Sequence, residues 1–125
     1  MTSETGSRFV AIVDDDRSVQ RALKDLMESA GLAAWCFGSA EEFLESDRWH
    51  QTACLVLDIH LSGRMGGFDL QERLTADDVP IPIIFITAHD DASTRERAER
   101  SGAAAYLLKP FEGQVLLDAI QASVG

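Results

Sequence analysis

The feature that most constrains the fold is a regular alternation between short apolar runs and segments in which apolar residues recur at helical spacing. The runs have the length of strands and contain few polar residues, as in strands that are covered on both faces of a sheet. They lie at residues 9–13, 33–37, 54–57, 83–86 and 105–108. Short connections between β and α segments predict an α/β fold, a single doubly wound parallel sheet with helices on both faces.

The segments between the runs carry the signals of helices. After the first run, apolar residues follow helical spacing from Val19 to Ala30, and Gly31 fits a C-terminal stop. Ser39 has the position of an N-cap, and Glu42 completes the pattern of a capping box. Three more helices are predicted: one through Leu70 and Leu74, one over residues 91–101, and one with Phe111, Val115, Leu116, Ala119 and Ile120 on its apolar face.

Length and charge narrow the class of protein. The 125 residues suit one domain, and we expect residues 1–8 to form a flexible polar tail and residues 9–125 the domain. The net charge of −10 argues against direct binding of nucleic acid, because phosphate contacts need clustered Lys and Arg. No charged-then-apolar leader and no membrane span are apparent, so a cytoplasmic location is expected.

A disulfide between Cys36 and Cys54 is conceivable, but reduced buried thiols are favoured.

Polar residues whose side chains can bind ions or take part in a reaction lie at the ends of four of the predicted strands. Asp14 and Asp15 end the first strand, Asp58 the third, Thr87 the fourth and Lys109 the fifth. In a doubly wound sheet, ligands bind outside the carboxyl ends of the strands, so these side chains should converge. Each has an ordinary role when it is considered alone. Asp14 and the neighbouring Asp16 could cap the first helix, Asp58 could be a turn residue, Thr87 a strand-end residue and Lys109 a surface lysine. Those roles explain the set poorly, because all the residues fall at matching strand ends.

The set of side chains predicted at the carboxyl edge of the sheet suits phosphoryl transfer to an aspartate. Clustered carboxylates repel one another, and a bound divalent cation relieves that repulsion. Oxygen ligands without a cluster of His and Cys favour magnesium. A carboxylate beside such an ion can attack a phosphoryl group, while a lysine and a threonine hydroxyl hold the remaining oxygens.

Four blocks of sequence carry a resemblance to a known family. They are Ile12-Val13-Asp14-Asp15-Asp16, the apolar run into Asp58, Ile86-Thr87-Ala88, and the six residues of 106–111, Tyr-Leu-Leu-Lys-Pro-Phe. In this order they resemble the signature blocks of CheY-like receiver domains of response regulators, over about residues 9–122. The resemblance implies a flavodoxin-like sheet of order 2-1-3-4-5 with five helices. Residues 14–44 look closest to receivers that precede LuxR-type DNA-binding domains, which implies transcription regulation.

The resemblance implies roles for individual residues. Asp58 resembles the phosphoacceptor, Asp15 the direct ligand of magnesium (or of manganese), and Asp14 an accessory ligand acting largely through water. The backbone carbonyl of His60 would complete the metal site. The phosphoryl group would be bound by Thr87, the backbone of Ala88 and Lys109, and the Lys109–Pro110 bond is expected to be cis.

The resemblance also implies a two-state switch. Thr87 would turn to bond a phosphoryl oxygen, and the ring of Tyr106 would move into the vacated space. The alternative for Tyr106 is an amphipathic residue with its hydroxyl in water. The helix over residues 91–101 has little to bury and is expected to shift. The surface of the fourth helix, fifth strand and fifth helix is therefore the expected output face.

Two features depart from the family pattern or lie where the family varies. Ser62 stands where a proline is usual, and the glycine-rich loop from Ser62 to Gly67 is one residue longer, which suggests a mobile loop. His60 and His89 lie where the family tunes the lifetime of the phosphoryl group, although uninvolved surface histidines are the alternative.

The function predicted is that of a signalling switch in a two-component phosphorelay rather than a metabolic enzyme. A sensor histidine kinase or a phosphotransfer protein would supply the phosphoryl group, and the chain's own chemistry would be limited to self-phosphorylation and autodephosphorylation. An output domain or partner protein would contact the output face, and phosphorylation is compatible with a homodimer. The chain ends with its fifth helix, as a stand-alone regulator or an excised receiver does.

Two alternatives remain. A phosphatase of the haloacid-dehalogenase type is favoured only by the Asp-x-Asp pattern of Asp14 and Asp16, and nothing resembles the cap or the further acidic pair of such enzymes. The second alternative is a receiver-shaped scaffold that is never phosphorylated.

Overall fold

The predicted fold class and strand order are confirmed by the computed structural model, which describes residues 8–124. Five parallel strands form one sheet in the order β2-β1-β3-β4-β5. The strands are β1 (Phe9–Val13), β2 (Ala34–Phe37), β3 (Thr52–Asp58), β4 (Ile83–Thr87) and β5 (Ala105–Leu108). The helices are α1 (Arg17–Ser29), α2 (Ala40–Glu45), α3 (Gly67–Ala76), α4 (Ala92–Arg100) and α5 (Gly113–Val124), with a 3-10 helix at Trp49–Gln51. Apart from Arg8, the predicted tail lies outside the described residues.

The sheet is covered on both faces, which explains why its central strands are continuously apolar. All residues of β1 and β4 are buried, and so are all but one of β3. Side chains alternate between the faces along each strand. One face packs against α2, α3 and α4 through a cluster that includes Phe37, Phe43, Leu57, Leu70, Phe85 and Ala98. The other face packs against α1 and α5 through a cluster that includes Ile12, Met27, Val56, Ile86, Leu116 and Ile120.

Two local predictions were wrong in detail. Val115 does not belong to the apolar face of α5, because 44% of its surface is exposed, and Phe111 precedes the helix. At the start of α2, the Ser39 hydroxyl accepts a hydrogen bond from the Glu42 N–H at 3.0 Å, as predicted. The Glu42 carboxylate, however, accepts from the N–H of Gly38 at 2.8 Å and does not return to Ser39.

The two cysteines are free thiols on strands separated by β1. Cys54 is buried and Cys36 is half-buried. Burial raises the pKa of both thiols, so both are protonated at neutral pH. Over residues 8–124, none of the helices is long and apolar enough to cross a bilayer.

Helix α4 is held to the rest of the fold by few apolar contacts. Ala98 is its one buried residue. Its N-terminus is capped by Asp91, whose carboxylate accepts a hydrogen bond from the Ser93 N–H at 3.0 Å. Because the helix buries so little apolar surface, its movement costs little free energy.

Candidate functional site

The sheet topology brings the strand-end residues of the sequence to one edge. β3 lies between β1 and β4. Asp58, the last residue of β3, pairs on β4 with Ile86, the residue before Thr87, and on the other side Asp14 follows Val13, the partner of Leu57. Lys109 directly follows β5, and its backbone N–H donates to the Thr87 carbonyl at 2.7 Å. The Lys109–Pro110 peptide bond is cis. Adjacent parallel strands therefore position the carboxylates, the hydroxyl and the amine together.

Three carboxylates form the centre of the site. Asp14, Asp15 and Asp58 each offer an oxygen atom, and these atoms lie within 4.8 Å of one another. Asp14 is fully buried and Asp58 is 6% exposed, whereas Asp15 is open to solvent. A group of oxygen donors with one open side fits a hard cation such as magnesium, which keeps part of its water shell.

Asp16 has a structural role outside this cluster. It is the N-cap of α1, and its carboxylate accepts hydrogen bonds from Ser18 N–H at 2.8 Å and Val19 N–H at 3.4 Å. Asp14 does not cap the helix: its Oδ1 accepts the N–H of Asp16 at 2.9 Å, and its Oδ2 faces Lys109. The capping alternative therefore holds for Asp16 and is wrong for Asp14.

Lys109 is the cation of the cluster. Its Nζ lies 2.9 Å from Asp14 Oδ2 and 3.3 Å from Asp58 Oδ2. Among the described residues of this cluster, three carboxylates and one ammonium sum to two net negative charges. A divalent cation would neutralise that remainder, so the charge of the site matches the donor chemistry.

The surroundings shift the pKa of Asp58, Asp15 and Lys109. Burial raises the pKa of Asp58 and the charge of Asp14 adds to the rise, while the hydrogen bond from the His60 N–H and the charge of Lys109 oppose it. Hydrogen bonds from Ser62 lower the pKa of Asp15. Burial alone would lower the pKa of Lys109, but its hydrogen bond to Asp14 and the charges of both carboxylates raise it overall.

The raised pKa of Asp58 predicts that Asp58→Asn stabilises the magnesium-free protein. An acid whose folded pKa lies above its unfolded value destabilises the fold wherever it is ionised in both states. We expect a gain on the order of 1 kcal/mol at neutral pH in urea unfolding with EDTA. The gain should shrink as pH falls through the folded pKa toward the unfolded one. An equal gain at neutral and acidic pH would contradict this cause.

Thr87 and Tyr106 occupy the positions of the predicted switch pair. Thr87 is fully buried, and its Oγ1 accepts a hydrogen bond from the His89 N–H at 3.1 Å. The hydroxyl of Tyr106 is buried and has no hydrogen-bond partner among the described residues. The alternative in which this hydroxyl faces water is therefore wrong for this conformation. The Arg95 guanidinium lies 6.0 Å from the centre of the Tyr106 ring.

The remaining predicted site residues lie at the rim. Ala88, His60 and His89 are exposed, and each follows the end of β3 or β4. The His60 N–H donates to Asp58 Oδ1 at 3.0 Å, which fixes the backbone beside the carboxylate. The imidazole rings of His60 and His89 lie against each other, with centres 4.6 Å apart and planes at 77°.

The loop after β3 is anchored, in contrast to the mobility that its glycines suggested. The Ser62 N–H donates to Asp15 Oδ2 at 2.8 Å. Glu41, in the first turn of α2, accepts from the N–H groups of Arg64 at 3.2 Å and Met65 at 3.0 Å. Sequence reasoning missed Glu41, because its partners lie more than 20 residues away and no local pattern marks it.

Removing the Glu41 carboxylate should release this loop. In Glu41→Ala, the amides of Arg64 and Met65 lose their acceptor, and we expect their hydrogen exchange to accelerate about tenfold, which corresponds to roughly 1.4 kcal/mol of local stability. Amide exchange followed by NMR measures this directly. Glu45→Ala, at an exposed position of the same helix, is the control. Equal exchange in both variants would show that the carboxylate does not hold the loop.

Comparison with known proteins agrees with this geometry. The family model described as the response regulator receiver domain matches residues 10–121. Nodulation protein W of Bradyrhizobium diazoefficiens is 44% identical over 122 residues, covering 98% of this chain and 53% of that protein. Transcriptional regulatory protein FixJ of Azorhizobium caulinodans is 34% identical over 116 residues, covering 93% and 54% respectively.

Solved structures lead to the same family. The low-resolution structure of response regulator StyR is 48% identical with a TM-score of 0.86, covering 94% of this chain and 59% of that one. The chain spans about half the length of the curated relatives that it matches. The resemblance inferred from the sequence blocks is confirmed, and the chain belongs to the response regulator receiver domain family of two-component systems.

Proposed function

We propose that the chain accepts a phosphoryl group on Asp58 in a magnesium-dependent reaction and so changes the surface formed by α4, β5 and α5. One observation carries the proposal. The Asp58 carboxylate ends a buried strand, shares a cluster of oxygens with Asp14 and Asp15, and has the Lys109 Nζ at 3.3 Å. A nucleophile, a metal-binding group and a cation thus lie within one small volume.

The residues divide the chemistry between them. Asp14, Asp15, Asp58 and the His60 carbonyl would hold the magnesium ion, with manganese as a substitute. When bound, magnesium neutralises charge on the transferring phosphoryl oxygens. A carboxylate oxygen of Asp58 attacks phosphorus, the bond to the donor's leaving group breaks with its electron pair, and an acyl phosphate forms. Asp58 Oδ1 already accepts the His60 N–H, so the carboxylate is oriented before the donor arrives.

The new phosphoryl group would find binding partners on both sides. Lys109 offers a positive charge, and Ala88 offers its backbone beside β4. The Thr87 oxygen accepts from His89, so its own hydrogen remains to donate to a phosphoryl oxygen. Tyr106 and α4 would change conformation in response to the phosphoryl group. α4 buries only Ala98, so its movement costs little free energy. His60 and His89 stand close enough to the site to tune hydrolysis of the acyl phosphate.

The partners follow from this role. A sensor histidine kinase or a phosphotransfer protein would supply the phosphoryl group to a cytoplasmic receiver domain of residues 9–125. The elements of the output face expose three large apolar residues, Leu108 at 37%, Val115 at 44% and Val124 at 50%, which an output domain, a partner protein or a second phosphorylated copy would cover. FixJ is a transcriptional regulatory protein, so we propose a LuxR-type DNA-binding domain as the output, with the receiver itself binding no DNA.

Intact-mass measurement after incubation with magnesium and acetyl phosphate tests the proposal. We expect a gain of one phosphoryl group, lost in Asp58→Asn and in EDTA, and retained in Asp77→Asn, which changes an exposed carboxylate of the α3 terminus. Hydrolysis should return the original mass, and no turnover of phosphate esters is expected.

The two alternatives give different results in the same experiment. A phosphatase of the haloacid-dehalogenase type would carry the label on Asp14 and turn over phosphate esters. That alternative is disfavoured because Asp16, the second carboxylate of its pattern, caps α1. A scaffold that is never phosphorylated would gain no mass from any donor.

A further inference from the structure

Two of the three histidines of the chain lie together at the mouth of the site. His60 belongs to the loop after β3 and His89 to the loop after β4, both side chains are exposed, and the ring centres are 4.6 Å apart. We propose that His60 and His89 form a binding site for one ion of the zinc, nickel or copper class. Its ligands are imidazole nitrogens, whereas those proposed for magnesium are carboxylate oxygens and the His60 backbone carbonyl, and the inference goes beyond the proposed phosphorylation of Asp58.

The donor atoms separate the two sites chemically. Asp14, Asp15 and Asp58 offer only oxygen, which suits magnesium. Imidazole nitrogen suits zinc, nickel and copper, which magnesium does not displace from such ligands. The chain can therefore hold magnesium and a transition-metal ion at the same time, each at its preferred donors.

The separation of the rings fits a shared ion. With a metal–nitrogen bond of about 2 Å, each ring centre stands roughly 3 Å from the ion. Ligand angles between a right angle and the tetrahedral value then place the two ring centres about 4.2 to 4.9 Å apart. The observed 4.6 Å lies in this range. Rotation about the Cα–Cβ and Cβ–Cγ bonds of each histidine is the movement that would direct its ring nitrogen at a shared ion.

The backbone already holds the pair in place. The His60 N–H donates to Asp58 Oδ1 at 3.0 Å, and the His89 N–H donates to Thr87 Oγ1 at 3.1 Å. Each histidine is thus fixed two residues after the end of its strand, and β3 and β4 are neighbours. Only side-chain rotation remains to be restricted on binding, at a cost below about 2 kcal/mol for each side chain. Water would complete the coordination, since both rings face solvent.

Calorimetric titration of the full chain with nickel chloride, in excess magnesium and without any phosphodonor, tests the site. We expect one ion per chain, at least tenfold weaker binding in His60→Ala and in His89→Ala, and unchanged binding in His50→Ala. His50 is a matched control because it is exposed and also packs edge-on against an aromatic ring, that of Trp49. Nickel should also raise the unfolding temperature of the wild type but not of the two site variants.

Three results would overturn the site. They are wild-type affinity in His60→Ala or His89→Ala, equal loss in His50→Ala, and binding that disappears in Asp15→Asn but survives both histidine changes. Unfolding temperatures without metal report whether each variant is folded. Because no phosphodonor is present, the result does not depend on whether Asp58 is phosphorylated.

Discussion

Gly67→Ala is expected to destabilise the protein by roughly 3 kcal/mol, because the new methyl group has no room. A Cβ at Gly67 would stand 2.7 Å from the carbonyl oxygen of Asp58 and 2.8 Å from the Cα of Ile59. Both atoms belong to backbone, so no flexible side chain can move aside. Either α3 is displaced or the end of β3 shifts, and the second response would also move the Asp58 carboxylate. Urea unfolding measures the loss, and labelling by acetyl phosphate measures the effect on the site.

Gly66→Ala is the matched control for this change. Its Cβ would meet the Ile59 carbonyl oxygen at 3.4 Å, at the edge of ordinary contact, and Gly66 caps α3 rather than lying within it. We expect a cost below about 1 kcal/mol, typical of a substitution without a steric conflict. Equal stability of the two variants would mean that the close approach at Gly67 is not what excludes a side chain.

Lys109→Met is expected to cost roughly 3 kcal/mol at neutral pH without magnesium. The substitution removes the cation within 4 Å of two carboxylates, of which Asp14 is fully buried and the Asp58 side chain is 9% exposed. Those carboxylates would then repel each other in a region of low dielectric constant. Urea unfolding in EDTA measures the loss. Magnesium should restore more stability to this variant than to the wild type, because the ion would replace the missing charge.

The pH dependence separates this cause from lost packing. Without Lys109, protonation of a carboxylate relieves the repulsion, so the difference from the wild type should shrink at acidic pH. A loss that is constant over pH would instead indicate packing of the lysine side chain. Lys24→Met, at the other lysine of the chain and exposed on α1, should leave stability within about 0.5 kcal/mol of the wild type.

The fold and the centre of the site could be predicted because both follow from regular patterns. Five apolar runs define the strands, and the residue after or at the end of each run is placed by parallel topology alone. Asp58, Asp14 and Lys109 converge for that reason. The strand order itself came from the resemblance, since periodicity does not determine which strands are neighbours.

The parts that sequence reasoning missed depend on contacts between distant residues. Glu41 anchors a loop across 24 positions of sequence, and a first-turn glutamate is common at any helix. Asp14 and Asp16 are both plausible caps from sequence, and only the path of the chain assigns the cap to Asp16. Val115 fits an apolar stripe by spacing, but the face of α5 that meets the sheet is narrower than the stripe.

The phenol oxygen of Tyr106 is buried away from water, and no hydrogen-bond partner within residues 8–124 replaces the water that burial removes. An orphaned polar atom of this kind carries a penalty of about 1 to 3 kcal/mol. A free-energy difference of this size changes the ratio of two rotamer populations by roughly 5- to 150-fold. A single new hydrogen bond to this oxygen, or removal of the oxygen in Tyr106→Phe, is therefore enough to change the fraction of molecules in which the ring is buried.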